Sequence, residues 1–204
     1  MMTTPEQIGE LRKQIIESFS ELWELNDKAH RKEHFEEVFQ TAMVIDQRLG
    51  LGYDPKWMLF AAYFHDMFAW SRNNHHTLSY EWLVTTDHPL IVNNLQGEEL
   101  RNVYLGCQQH RASFKGEFSN RFAELINSAD RGLPGRVTQM RYRAVMYREK
   151  HNPEMTLAER REGALKHLKE KFGTGGYARY PDLYIKAFGA ELEEQRKEID
   201  ALTV

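Results

Sequence analysis

The sequence predicts an all-α fold, arranged as a single-domain helical bundle with a C-terminal helical extension. Apolar residues recur every three or four positions along almost the whole chain, which is the spacing of one face of an amphipathic helix. Strand-like alternation is nearly absent, and no internal repeat or low-complexity linker interrupts the 204 residues. A hydrophobic content of 41%, including 11 phenylalanines and 9 tyrosines, is enough to build a sizeable aromatic core.

Three helices are predicted in the first third of the chain. The first has a stripe of apolar residues three or four positions apart, Ile8, Leu11, Ile15, Phe19 and Leu22. The stripe of the second spans residues 35–49 and ends before Gly50, a residue type that commonly follows a helix. Pro55 is expected to open the third helix, which carries the pair His65-Asp66.

Six further helices are predicted by the same periodicity and by the positions of glycine and proline. They cover about residues 75–86, 98–112, 122–130, 136–150, 156–172 and 182–200. We therefore expect one domain over residues 1–204, in which helices at about 136–200 form the C-terminal part.

Composition narrows the classes of function. The formal net charge of -3 is too small to indicate a polyanion-binding protein, so nucleic acid is disfavoured as a partner. Cys107 is the only cysteine, which excludes an intrachain disulfide and fits a reducing compartment. The N-terminus lacks the layout of a signal peptide, and no apolar run approaches the roughly 20 residues that span a bilayer. We expect a cytoplasmic protein without membrane association.

The pair His65-Asp66 lies in the strongly apolar run between Lys56 and Trp70. An unpaired buried polar group costs about 1–3 kcal/mol, and a buried charge costs more unless it is paired or coordinated. A bound cation is the simplest compensation for both side chains. The alternative is a hydrogen-bonded core histidine beside an aspartate that caps a helix or forms a salt bridge.

Three other predicted helices also direct metal-binding side chains inward. His34 and His110 lie on apolar stripes, with His30 as a rival of His34. Asp130 follows a stripe at a helix C-terminus, where partial negative charge makes an aspartate unfavourable unless a cation is nearby. Mixed imidazole and carboxylate ligands suit Mn, Fe, Co, Ni or Zn better than Ca, and Mg is also compatible.

Five segments carry these residues in order: His34-Phe-Glu-Glu-Val38, Ala61-Ala-Tyr-Phe-His-Asp66, His75-His-Thr-Leu-Ser79, Gln109-His-Arg111 and Ser128-Ala-Asp130. Over about residues 28–132 this pattern resembles the HD-domain metal-dependent phosphohydrolases. The resemblance implies an HD-type bundle whose first metal ion is held by four side chains, His34, His65, Asp66 and Asp130. It also implies that His75 or His76, together with His110, binds a second ion or the substrate phosphate.

The resemblance further implies a hydrolase that cleaves a phosphate ester or anhydride bond in a small substrate such as a nucleotide. One or two divalent cations would activate a water molecule, with Asp66 or Asp130 orienting it. The basic neighbours of the proposed ligands, Arg111, Lys115 and Arg131, are candidates for phosphate contacts. The alternative is a non-catalytic helical module that binds a nucleotide or nucleic acid around a structural metal.

Three further points are left open by the sequence. Some branches carry a lysine or glutamate shortly after the His-Asp pair, where this chain has Met67-Phe-Ala-Trp70, so no branch-specific role is carried over. Trp70, Tyr80 and Trp82 could stack a base, although aromatic residues at helical spacing are more often part of a core. Amphipathic helices at both termini are compatible with a homodimer.

Overall fold

A computed structural model of the chain describes residues 2–27 and 30–203. These residues form helices and no strand, which confirms the all-α prediction. The helices are, in chain order, α1 Pro5–Trp23, α2 Lys32–Leu49, α3 Pro55–Phe64, α4 His75–Thr85, α5 Pro89–Val92, α6 Glu98–Gln109, α7 Arg121–Ala129, α8 Val137–His151, α9 Leu157–Phe172 and α10 Asp182–Ala201. Within the described parts of the chain, none of these helices is both long enough and apolar enough to cross a bilayer.

The chain divides into two compact units, Met1–Gly132 and Leu133–Val204. Helices α1 to α7 belong to the first unit, and α8 to α10 belong to the second. The expectation of one domain over residues 1–204 stays a prediction. The expected metal-binding core, about residues 28–132, falls in the first unit, and its first two positions lie outside the described residues.

Local side-chain chemistry explains where the first helices begin and end. Thr4 starts α1 in a capping box with Gln7, in which each side chain bonds the backbone of the other residue. Asp54 caps α3 by accepting a hydrogen bond from the backbone of Lys56 at 2.8 Å. Gly50 ends α2 at a φ of 59°, a left-handed conformation that is easiest for glycine.

The core of the first unit is built around α3, whose residues from Met58 to Phe64 are all buried. This helix packs against α1, α2, α6 and α7, so it is apolar on every side. Aromatic rings interlock beside it: Phe19 meets Phe64 edge-on at 5.1 Å and an interplanar angle of 81°. Because α3 is central, the residue that follows it, His65, is also completely buried.

The structure differs from the prediction at the end of α3. The pair His65-Asp66 was expected inside the helix, but α3 ends at Phe64, His65 is its C-cap and turns follow up to residue 74. Similarly, α6 ends at Gln109 instead of near residue 112, and the next residue is its C-cap. In both cases a histidine ring bonds a carbonyl of the last helical turn, which periodicity does not reveal.

The second unit is a small three-helix assembly. A buried apolar cluster is formed by Val137 of α8, Leu168 of α9 and Ile199 of α10. Val137 is the buried residue of α8, and that helix exposes Tyr142 and Tyr147. The predicted helices 136–150, 156–172 and 182–200 therefore form close to their expected bounds.

Candidate metal centre

Four side chains proposed as ligands converge in the first unit. The Nε2 atom of His34 lies 3.1 Å from Nε2 of His65, 3.6 Å from Oδ2 of Asp66 and 3.3 Å from Oδ1 of Asp130. The Nε2 atom of His65 lies 3.3 Å from Oδ2 of Asp66 and 3.7 Å from Oδ1 of Asp130. Metal–ligand bonds of about 2.0–2.2 Å place two donors of one ion roughly 3–4.4 Å apart. The distances among His34, His65 and Asp66 fit a single shared ion, and Asp130 is within the same range of both histidines.

A second group of ligands shares Asp66. Its Oδ1 atom lies 3.1 Å from Nε2 of His75 and 3.2 Å from Nε2 of His110, and these two nitrogens are 3.2 Å apart. The other carboxylate oxygen, Oδ2, faces His34 and His65. Asp66 is therefore placed to bridge two cations, one held by each group.

The orientation of three histidine rings is set by their second nitrogen. Each Nδ1 bonds the carbonyl three residues earlier: His65 to Ala62 at 2.8 Å, His75 to Arg72 at 3.1 Å and His110 to Cys107 at 2.6 Å. A carbonyl only accepts, so Nδ1 carries the proton and Nε2 of the neutral ring presents a lone pair to the group. Histidines that bind metals usually have this arrangement. Lone pairs about 3 Å apart repel unless a proton or a metal ion lies between them.

Three helix C-termini meet at the two groups. His65, His110 and Asp130 are the C-caps of α3, α6 and α7. Each of these helix ends carries partial negative charge, which adds to the charges of the two aspartates. Asp66 is only 4% exposed, and burying an uncompensated charge costs several kcal/mol. The electrostatics of the centre therefore favour a bound cation.

In the metal-free protein, protons on the histidines compensate part of the negative charge of the aspartates. Burial alone would lower the pKa of His65, but the charge of Asp66 and hydrogen bonds with Asp130 and Asp66 raise it to about 10. Burial would raise the pKa values of Asp66 and Asp130, but the histidines hold both well below the usual carboxyl value. Burial lowers the pKa of His75 to about 4, so this ring is neutral near pH 7 and can act as a ligand.

Asn26, a buried residue between α1 and α2, ties two segments of the centre together. Its Nδ2 donates to the carbonyls of His30 and Asp66, both at 3.0 Å, and its Oδ1 accepts from the backbone N–H of Trp70 at 2.9 Å. Both donors and the oxygen of the amide are thus in use. The sequence offered no signal for this role, because two of its partners are 40 and 44 residues away.

Asn127, on α7, has a similar role in the second group, where it holds the backbone on both sides of His110. Its Nδ2 donates to the carbonyls of Gln109 at 2.6 Å and Arg111 at 3.1 Å, the two neighbours of His110. Its Oδ1 accepts from Nη2 of Arg131 at 2.7 Å. Asn127 is 1% exposed. Its position within an apolar stretch of the sequence was a signal that its amide needs hydrogen-bond partners in the interior.

The geometry separates the rival histidines. His30 lies at the edge of the centre, where its Nε2 is 3.9 Å from Oδ2 of Asp66, whereas His34 has closer contacts with three other ligands. Of the histidine doublet, His75 joins the second group. His76 belongs to neither group, and its Nδ1 is buried without a hydrogen-bond partner among the described residues.

Two of the three candidate phosphate-binding residues lie beside the centre. Nη1 of Arg111 donates to the carbonyl of Asn73 at 2.9 Å, and its charge adds to burial in lowering the pKa of His75. Arg131 follows Asp130 and is held by its bond to Asn127. Lys115 is exposed between α6 and α7, and no contact given for the described residues connects it with either ligand group. Its role stays a prediction.

Comparison with known proteins does not identify the chain further. No family model, no curated protein and no solved structure matches it. The described residues define an all-α protein in which two overlapping groups of histidine and aspartate could each hold a metal ion.

Proposed function

We propose that this chain is a metal-dependent phosphohydrolase of the HD-domain type, which cleaves a phosphate ester or anhydride bond of a small phosphorylated substrate. The observation that carries the proposal is the position of Asp66, whose two oxygens face two separate histidine groups. The order of the motifs along the chain and the convergence of three helix C-termini on them add support.

The residues present fit one or two divalent transition metal ions, for which Mn, Fe, Co, Ni and Zn are the candidates and Mg is compatible. His34, His65, Asp66 and Asp130 would hold the first ion, and Asp66, His75 and His110 would hold the second. When bound, such ions lower the pKa of a water molecule and polarise a phosphoryl oxygen. The second group has fewer protein donors, which leaves more coordination positions for water or substrate.

The exposure of the proposed ligands supports an approach of substrate from the side of His34 and Asp130. The side chains of His34 and Asp130 are 13% and 19% exposed, whereas those of His65 and His110 are 0% and 2% exposed. Both oxygens of Asp66 face histidines, but the contacts described for Asp130 use Oδ1. We therefore assign to Asp130 the orientation of the attacking water and the acceptance of its hydrogen bond.

Positive charge is also needed around the phosphate, because negative charge concentrates on its non-bridging oxygens in the transition state. Arg111 and Arg131 are the cations best placed to supply it. Each is fixed by a hydrogen bond, Arg111 to the carbonyl of Asn73 and Arg131 to Asn127. Fixed guanidinium groups stabilise developing charge without the cost of ordering them during the reaction.

A direct test is phosphate release from a panel of phosphorylated compounds. The chelator-treated protein is assayed alone and after addition of Mn, Co, Mg or Zn. We expect release to depend on metal and to be abolished in Asp66→Ala, while Asp87→Ala, an exposed aspartate, keeps full activity. Activity that ignores chelation, or metal binding without turnover on any compound, would contradict the proposal; the latter result is that of a structural metal.

A further inference from the structure

Trp70 is an anomaly among the four tryptophans of the chain. It is 49% exposed, whereas Trp23 is 2% exposed and the other two are half-buried. Leaving apolar surface in water costs roughly 25 cal/mol per Å², and an indole is the largest such side chain. Other large apolar side chains are also exposed, Tyr142 and Tyr177 at 65%, so what distinguishes Trp70 is its position on the turn that follows Asp66.

The backbone of Trp70 is fixed in place. Its N–H donates to Oδ1 of Asn26 at 2.9 Å, and Asn26 itself is 2% exposed. The ring of Phe68 lies edge-on to the indole at 6.2 Å, and the N–H of Ser71 donates to the carbonyl of Phe68 at 2.8 Å. The exposed indole thus stands on an ordered turn.

That turn belongs to the candidate metal centre. It joins His65 to His75, so each of its ends is a proposed ligand. The N–H of Ala69 bonds the carbonyl of Asp66 at 3.1 Å, which places Trp70 about one turn after Asp66. The same carbonyl of Asp66 accepts from Asn26, so a single amide side chain holds both Asp66 and Trp70.

Positive charges lie on the same turn. Arg72 follows Trp70 by two residues, and its Nη1 is 3.7 Å from Oδ2 of Asp27. Arg111 reaches the turn through the carbonyl of Asn73 at 2.9 Å. An aromatic plane, guanidinium groups and a metal centre are together suited to a ligand that has both a planar ring and a phosphate.

We propose that the indole of Trp70 stacks against the base of a nucleotide whose phosphate lies at the metal centre. This inference rests on the proposed function and makes nucleotides, as opposed to simple phosphate esters, the substrate class. Stacking on an aromatic side chain contributes about one to two factors of ten in affinity. Trp70 would thus determine specificity without taking part in the chemical step.

Equilibrium binding tests this role without turnover. The probes are the non-hydrolysable α,β-methylene diphosphates of adenosine and thymidine, together with methylenediphosphonate, which lacks a base. In the Mn-loaded protein, Trp70→Ala should weaken both nucleoside analogues by about tenfold or more and leave methylenediphosphonate unchanged. Trp70→Phe should keep most of the affinity, and the control Tyr142→Ala, which removes an aromatic that is 65% exposed, should change nothing.

The outcomes separate this inference from the proposed function. Unchanged nucleotide affinity in Trp70→Ala, or wild-type protein that binds the nucleoside analogues no more tightly than methylenediphosphonate, would overturn the role of Trp70 alone. Failure of every probe to bind in a metal-dependent way would overturn both proposals. Circular dichroism and metal content should be the same in Trp70→Ala and the wild type, because the side chain is half exposed.

Discussion

Raising the pH should destabilise the metal-free protein, because histidines at the candidate metal centre hold protons that the unfolded chain releases. The pKa of His65 is about 10, since Asp66 and Asp130 outweigh the effect of its burial. Burial alone would lower the pKa of His34, but hydrogen bonds with Asp130 and Asp66 raise it. In the unfolded chain both rings titrate near about 6.5.

The sign and size of the effect follow from proton linkage. Between pH 6.5 and 10 the folded protein binds more protons than the unfolded chain, so the free energy of unfolding falls as pH rises. The slope is about 1.4 kcal/mol per pH unit for each proton, which makes His65 alone responsible for a loss of about 2 kcal/mol between pH 6.5 and 8.5. For a domain of the size of the first unit, Met1–Gly132, this loss of stability corresponds to a decrease in Tm of roughly 5–10 °C.

The other shifted groups of the centre act in a different pH range. The lowered pKa values of Asp66 and Asp130 contribute stability that is present above about pH 4 and is lost in acid. His75, with a pKa of about 4, reduces stability only as pH falls below about 6.5, where the unfolded ring gains a proton. The loss between pH 6.5 and 8.5 therefore comes mainly from His34 and His65. Burial also raises the pKa of the Cys107 thiol, which adds a smaller loss near the upper end of that range.

The assay is thermal unfolding, followed by circular dichroism, of chelator-treated and Mn-loaded protein at several pH values. A metal ion replaces the protons, so stabilisation by Mn should increase with pH. His65→Gln should flatten the metal-free profile, and the matched control His151→Gln, an exposed histidine of α8, should leave it unchanged. Metal-free stability that is constant or rises from pH 6.5 to 8.5 would refute the reasoning.

Two further predictions concern packing and ligand positioning. Gly106→Ala should destabilise the first unit by up to about 2 kcal/mol in urea unfolding, because its Cβ would lie 3.0 Å from Cγ1 of the buried Ile126 and this crowding outweighs a gain of about 1 kcal/mol in helix propensity. Gly9→Ala, which meets no atom within 4 Å, should not destabilise. Asn127→Asp should weaken binding of the second ion by about 10–100-fold in a metal titration while the first ion is retained, because the carbonyls that flank His110 lose their donor. Equal loss of both ions, or the same effect in the control Asn93→Asp, would show that the change is only a general loss of stability.

Much of the fold could be predicted from apolar spacing, because helices such as α1 and α2 bury one face. His34 could be placed on the inward face of α2 because Val38 and Ala42 follow it at helical spacing, and both are buried in the structure. The end of α3 could not be found in this way. The apolar run continues through Met67, which is also buried, whereas the helix ends at Phe64 and the ring of its C-cap His65 bonds the carbonyl of Ala62.

The candidate site was harder to predict from the sequence where it depends on contacts between distant segments. The choice between His75 and His76 could not be made from spacing, since both lie in the first turn of α4. The ring bond of His75 with the carbonyl of Arg72 and its contact with His110, 35 residues away, decide it. The role of Asn127 depends in the same way on carbonyls of another helix end.

The central claim is that Asp66 bridges two metal ions, and Mn(II) titration followed by electron paramagnetic resonance tests it most directly. We predict that the metal-stripped protein takes up two Mn(II) ions per chain and shows the spectrum of a magnetically coupled pair. Asp66→Ala should lose that coupling. Uptake of no Mn(II), the spectrum of isolated ions only, or a coupled pair that persists in Asp66→Ala would contradict the account.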